Sequence, residues 1–129
     1  MQQKIVNQIE LFQALADESR LRIICLLVAA KEEACLCELV DSLLEPKYKL
    51  SRHLKILRQA GFLSTRKEGR WVYHRLIDGE AYFKLLMRSV EALPDPENRF
   101  FDDLKRFQQR VLLREEGCCC KGIQLEALA

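Results

Sequence analysis

Six cysteines stand unevenly in 129 residues: Cys25 alone, Cys35 and Cys37 one residue apart, and Cys118, Cys119 and Cys120 in a row. That density is below a disulfide scaffold's. Met1 to Gln8 is polar and lacks the apolar stretch of a secretory signal, so the expected location is the reducing cytoplasm. Closely spaced thiols there serve metal or redox chemistry. Leu36, Leu39, Val40 and Leu43 repeat at helical spacing, which puts Cys35 and Cys37 at the start of a helix. A helix N-terminus lowers thiol pKa values and supplies thiolate near neutral pH. Positions i and i+2 lie about 200° apart around a helix, so a shared ion is expected to distort its first turn. Cys25, on the apolar face of the preceding helix, reads as core.

A second chemistry lies further along. Net charge is only +2, but Lys47 to Arg75 holds nine Lys/Arg and a single Glu. A polyanion partner needs such a local field. Within it, Leu50, Leu54 and Leu57 mark the buried stripe of a helix starting near Lys47 and closing at Gly61. Lys47, Tyr48, Lys49, Ser51, Arg52, His53 and Lys55 are the DNA-contact candidates on this helix. Phe62 to Lys67 and Arg70 to Ile77 then read as a two-stranded ribbon with Glu68-Gly69 at its turn, Lys67 and Arg70 making the tip cationic.

The remaining elements are helical. Ile5, Ile9, Phe12 and Ala16 mark a first helix, and Asp17 caps a second running to about Ala30. After the ribbon come stripes at Tyr82, Leu85, Leu86, Ser89, Val90 and Leu93, and at Phe100, Leu104, Phe107 and Val111. Pro96 suits the first turn of the last helix. The longest apolar run, Ile23 to Ala30, is too short to span a membrane. The expected class is mainly α with a small β-hairpin: a winged helix-turn-helix with flanking helices that dimerise. Residues 1–113 form the DNA-binding and dimerisation domain, and residues 114–129 a flexible Cys-rich tail. In this architecture the second helix of the pair enters the major groove while cations on the wing hold phosphates. Arg52 suits a bidentate guanine contact. No phosphate loop or catalytic triad spacing is present, so an enzyme is not expected.

Ala16 to Ile23, Leu50 to Leu63 and Arg66 to Leu76, in that order, resemble the second helix, recognition segment and wing of the ArsR/SmtB family of metal-responsive repressors. The resemblance implies a homodimer that binds operator DNA and leaves it on binding a metal or metalloid. Glu33-Ala34-Cys35-Leu36-Cys37-Glu38-Leu39 looks like that family's arsenic-sensing segment. It implies no cofactor, but an inducer such as As(III) or Sb(III), both thiophilic. That motif usually carries a further cysteine where this chain has Val40. Either two thiolates suffice, as for an organoarsenical already bearing one carbon, or Cys118, Cys119 or Cys120 supplies a third from the same chain or its partner. Those tail thiols could equally capture metal non-specifically or form a disulfide. The family's zinc site on the fifth helix needs histidine, and Asp78 to Leu93 has none. The alternative is a thiol redox-sensing repressor of the same fold.

Overall fold

The computed structural model describes residues 7–125; Ile5, counted in the first stripe, lies outside them. In chain order the elements are α1 (Gln8–Leu15), α2 (Glu18–Ala30), β1 (Ala34–Cys35), α3 (Leu36–Leu43), α4 (Lys47–Gln59), β2 (Leu63–Glu68), β3 (Trp71–Leu76), α5 (Ala81–Glu91) and α6 (Arg99–Arg110). A single 3-10 turn, Val111–Leu113, follows.

α2 is the central post. Asp17 caps it by accepting the Arg20 N–H at 3.1 Å, as its position ahead of the apolar run predicts. Ile23, Ile24, Leu26 and Leu27 are fully enclosed because α3, α4, α5 and α6 pack around them. α3 ends at Leu44, with φ at 57°, and Pro46 opens α4. This three-residue turn joins the two helices of the helix-turn-helix pair. α4 buries Leu50, Leu54 and Leu57. Its end is a Schellman closure: Phe62 N–H donates to the Leu57 carbonyl at 3.0 Å and Gly61 N–H to that of Arg58 at 3.1 Å. Gly61 takes the left-handed φ of 91° that this closure requires.

The ribbon is antiparallel, with Glu68 opposite Trp71 across the two-residue turn Gly69-Arg70. The turn thus falls one residue later than expected, with Arg70 inside it and Gly69 taking its positive φ of 60°. A third strand, not anticipated from sequence, completes the sheet in the order β1-β3-β2. β1 is two residues long, too short for any periodicity to betray it.

α6 starts at Arg99 rather than at Pro96, and Asp95 accepts the Phe100 and Phe101 N–H groups at 3.1 and 3.0 Å. Its inward face is more polar than an apolar stripe. The Arg22 guanidinium donates to both oxygens of Asp103, at 2.9 and 2.7 Å, and to the Leu43 carbonyl at 2.6 Å. Phe107 is fully buried beside this pair. α6 therefore seats against α2 and α3 in its own protomer, and Phe107 is not free to serve a dimer. Apolar side chains left in water include Ile9 at 67% and Phe12 at 60% on α1, Leu85 at 62% on α5, Phe101 at 59% on α6 and Leu112 at 74% just beyond it. Among the described residues no helix is long and apolar enough to cross a membrane.

Candidate thiol site and DNA-facing surface

Cys35 is not inside α3. It is the residue before it, with extended backbone at φ −90° and ψ 165°, and it pairs with Tyr73 of β3. Cys37 sits in the first helical turn. The strand-to-helix change between them removes the angular problem expected of two helical thiols, and the sulfurs lie 3.1 Å apart with the turn intact. Cys35-x-x-Glu38 has the spacing of a capping box, a signal the sequence carried. Glu38 accepts the Cys35 N–H at 3.1 Å, and Arg114 binds both carboxylate oxygens of this fully buried acid, at 2.7 and 2.8 Å.

The third thiol is Cys119. Beyond Arg114 the chain reverses through Glu116 and Gly117, both at positive φ, and Glu115 and Cys118 exchange backbone hydrogen bonds of 2.8 and 2.9 Å. This turn sends Cys119 back to the sheet, where its N–H donates to the Tyr73 hydroxyl. Its sulfur lies 3.2 Å from that of Cys35 and 3.7 Å from that of Cys37. The segment expected as a loose tail is docked through Leu125. Asp41 accepts the N–H groups of Gln124 and Leu125, both at 3.1 Å. Arg110 donates to Asp41 at 2.6 Å and to the carbonyls of Lys121 and Gly122 at 2.9 and 3.0 Å. Satisfying these otherwise buried polar groups holds the segment in place.

Cys35, Cys37 and Cys119 are 1%, 7% and 2% exposed and form a cluster of potential metal ligands. Val40, at the position of the expected third cysteine, is buried in the core. Cys118 is half-buried outside the cluster and Cys120 is exposed, its thiol directed to the Leu113 carbonyl at 3.4 Å. Cys25 is in the core, and burial pushes its thiol up to about 12.

The three clustered thiols are shifted in different directions. The hydrogen bond from Cys35 draws the Cys37 thiol down to about 6, aided by Cys119 and the nearby Arg110 cation against the opposing effect of burial. Cys35 is pushed up by its hydrogen bond with Cys37 and by burial. Burial also raises Cys119.

The basic surface divides as follows. On α4, Lys47, Tyr48, Ser51, Arg52 and Lys55 are exposed, Tyr48 at 76%. Lys49 is half-buried and paired with Glu45 at 3.1 Å. His53 is turned into the core, lying 3.2 Å from an Arg20 guanidinium nitrogen. Burial lowers its pKa, so it bridges α4 to α2 rather than facing a groove. On the ribbon, Lys67 is exposed and Arg70 stacks on the Trp71 ring at 4.7 Å. Arg66 is held by Glu33 and Glu68 and lies over the Tyr73 ring.

A helix pair, a ribbon wing and a thiol cluster at their junction define a winged helix-turn-helix regulator. Residues 17–65 match the model of the bacterial regulatory protein, arsR family. The chain is 38% identical over 91 residues to an uncharacterized HTH-type transcriptional regulator of Methanocaldococcus jannaschii, covering 70% of this chain and 99% of that one. It belongs to the arsR family. It is 48% identical over 68 residues to the arsenical resistance operon repressor of Escherichia coli, a match covering 53% of this chain and 57% of that protein. The chain thus spans little more than half the length of that relative. Among solved structures, the transcriptional regulator HlyU from Vibrio vulnificus matches with a TM-score of 0.58 at 33% identity, covering 68% of this chain and 88% of its own. Reduced HlyU from Vibrio cholerae matches with a TM-score of 0.56 at 32% identity, covering 64% of this chain and 83% of its own.

Proposed function

We propose that this chain is a homodimeric, DNA-binding repressor that leaves its operator when trivalent arsenic or antimony bonds to Cys35, Cys37 and Cys119. The observation that carries the reading is the convergence of these three sulfurs within 3.7 Å of one another. Arsenite, As(OH)3, exchanges three As–O bonds for three As–S bonds. Each hydroxyl leaves as water and no electrons are transferred. Soft thiolates favour such an ion over hard cations. The arsenical-resistance name of the E. coli relative supports the same inducer.

Arg52 reads a guanine edge from α4, with Lys47, Tyr48, Ser51 and Lys55 on the same face, while Lys67 and Arg70 hold phosphate. The inducer acts on both elements. Cys35 shares its β-ladder with the wing through Tyr73. Cys37 lies on α3, whose C-terminus leads directly into α4. The test counts As–S bonds by arsenic X-ray absorption on the full chain in excess phosphine reductant. Three bonds in the wild type and two in Cys119→Ser uphold the reading, and two in both removes Cys119 from it.

A redox reading has one observation in its favour: the Cys35 and Cys119 sulfurs are 3.2 Å apart. The likeness to HlyU, solved in a reduced form, is compatible with it. Peroxide would take two electrons and two protons from such a thiol pair, forming a disulfide and two waters. Release of DNA by peroxide alone, with no response to arsenite under reduction, selects this reading.

A further inference from the structure

A cleft of about 620 Å³ lies between α3, α4 and the wing, and its walls include Cys35 and Cys37 but not Cys119. Leu36, Leu54, Trp71 and Ile123 are among its apolar walls, and the cations Lys47, Arg58 and Arg70 also line it. An enclosed apolar cavity of roughly 150 Å³ accepts benzene, and this cleft, open on one side, has the space for an aromatic ring. We infer that this cleft binds the organic substituent of a trivalent monoaryl arsenical whose arsenic is bonded to Cys35 and Cys37. The inference rests on the arsenic reading above and names a ligand class for the same site.

Valence and direction decide where the substituent goes. An arsenic already bonded to carbon has two exchangeable positions, and two thiols complete it. R–As(OH)2 forms two As–S bonds and loses two As–O bonds, releasing two waters with no change of oxidation state. The carbon substituent must then go where no third sulfur stands. Cys119 occupies one side of the pair, 3.2 Å from Cys35. The cleft opens against Cys35 and Cys37 from α4 and the wing. An aryl group there touches the DNA-reading helix through Leu54 and the wing through Trp71. Inorganic arsenite has no group to place in it. The cleft gives the site a means of telling organic from inorganic arsenic that three sulfurs alone do not provide.

Trp71 is the chain's single tryptophan, so its emission reports occupancy without any operator. Reduced full-length protein is titrated with phenylarsenite, methylarsenite and arsenite. Phenylarsenite is expected to bind at least tenfold more tightly than methylarsenite and to change Trp71 emission most. Thr65→Phe and Val72→Phe, both at exposed cleft-lining positions, are expected to erase the aryl preference and leave arsenite affinity unchanged. Equal binding of the two organoarsenicals in the wild type, or an aryl preference that survives both substitutions, overturns the inference. Arsenite that binds the double variant Cys35→Ser/Cys37→Ser as tightly as the wild type overturns the arsenic reading itself.

Discussion

Tyr73 stands opposite Cys35 in the β1–β3 ladder, and its hydroxyl accepts the N–H of Cys119. One wing residue therefore touches two of the three thiol positions, one through backbone pairing and one through its side chain. Tyr73→Phe removes only the second link. It is expected to cost about 1 kcal/mol of stability and to expose Cys119. Mass-spectrometric alkylation should show Cys119 reacting faster than in the wild type, with Cys25 unchanged. Unaltered protection of Cys119 would show that Asp41 and Arg110 hold the segment without Tyr73.

On the DNA face, Arg52→Ala should cost about 1–3 kcal/mol per half-site on the operator and little on random DNA. Lys67→Ala should weaken both alike and flatten the salt dependence. Fluorescence anisotropy at several salt concentrations separates the two. His53→Gln should alter stability before it alters sequence preference, since the imidazole is enclosed between α2 and α4.

What could be read from sequence was mainly local. Asp17, Gly61 and the Leu50-Leu54-Leu57 stripe act within one or two helical turns, so their spacing shows their role. The Arg22–Asp103 pair joins residues 81 apart, and Cys119 meets Cys35 across 84. Nothing in either neighbourhood marks such a meeting. α6 read as an apolar stripe because its buried Asp103 and Arg110 resemble surface charges until their partners are known. Cys35 and Cys37 were legible as a pair, but their geometry depended on a two-residue strand that exists only through its pairing with Tyr73 and His74 of β3.

The exposed apolar side chains of α1 and α5 make these helices the expected dimer surface. Phe12, Tyr82 and Leu85 line a shared groove there, and a two-fold operator requires paired recognition helices. Sedimentation should give twice the 15.1 kDa chain mass. Phe12→Asp or Leu85→Asp should shift it toward the monomer by burying an unpaired charge in the contact. A wild-type protein sedimenting as a monomer at micromolar concentration refutes the assignment.

His74 makes folding sensitive to acid. Burial, with the Arg58 cation next to it, lowers its pKa from 6.5 to about 4. Between those values the unfolded chain binds a proton that the folded chain refuses. The stability this provides is complete above about pH 6.5 and is lost as pH falls toward 4. From pH 7.5 to 4.5 the wild type should lose about 2 to 3 kcal/mol more than His74→Gln. Urea unfolding at both pH values measures this, and parallel losses would show that His74 is not the group responsible.

The last prediction distinguishes the five clustered or neighbouring cysteines. Cys35→Ser and Cys37→Ser should each leave operator binding intact and abolish release by arsenite, because their thiols serve the inducer and not the DNA. Cys119→Ser should weaken the arsenite response sharply, since it removes one of three sulfurs. Phenylarsenite, which needs two, should still release the variant. Cys118→Ser and Cys120→Ser should match the wild type with either inducer. Cys118 stands outside the cluster and Cys120 is directed away to Leu113. Gel-shift titrations of the five variants in excess phosphine reductant give the comparison. An arsenite response lost in Cys118→Ser or Cys120→Ser but kept in Cys119→Ser would place the third thiolate elsewhere in the tail.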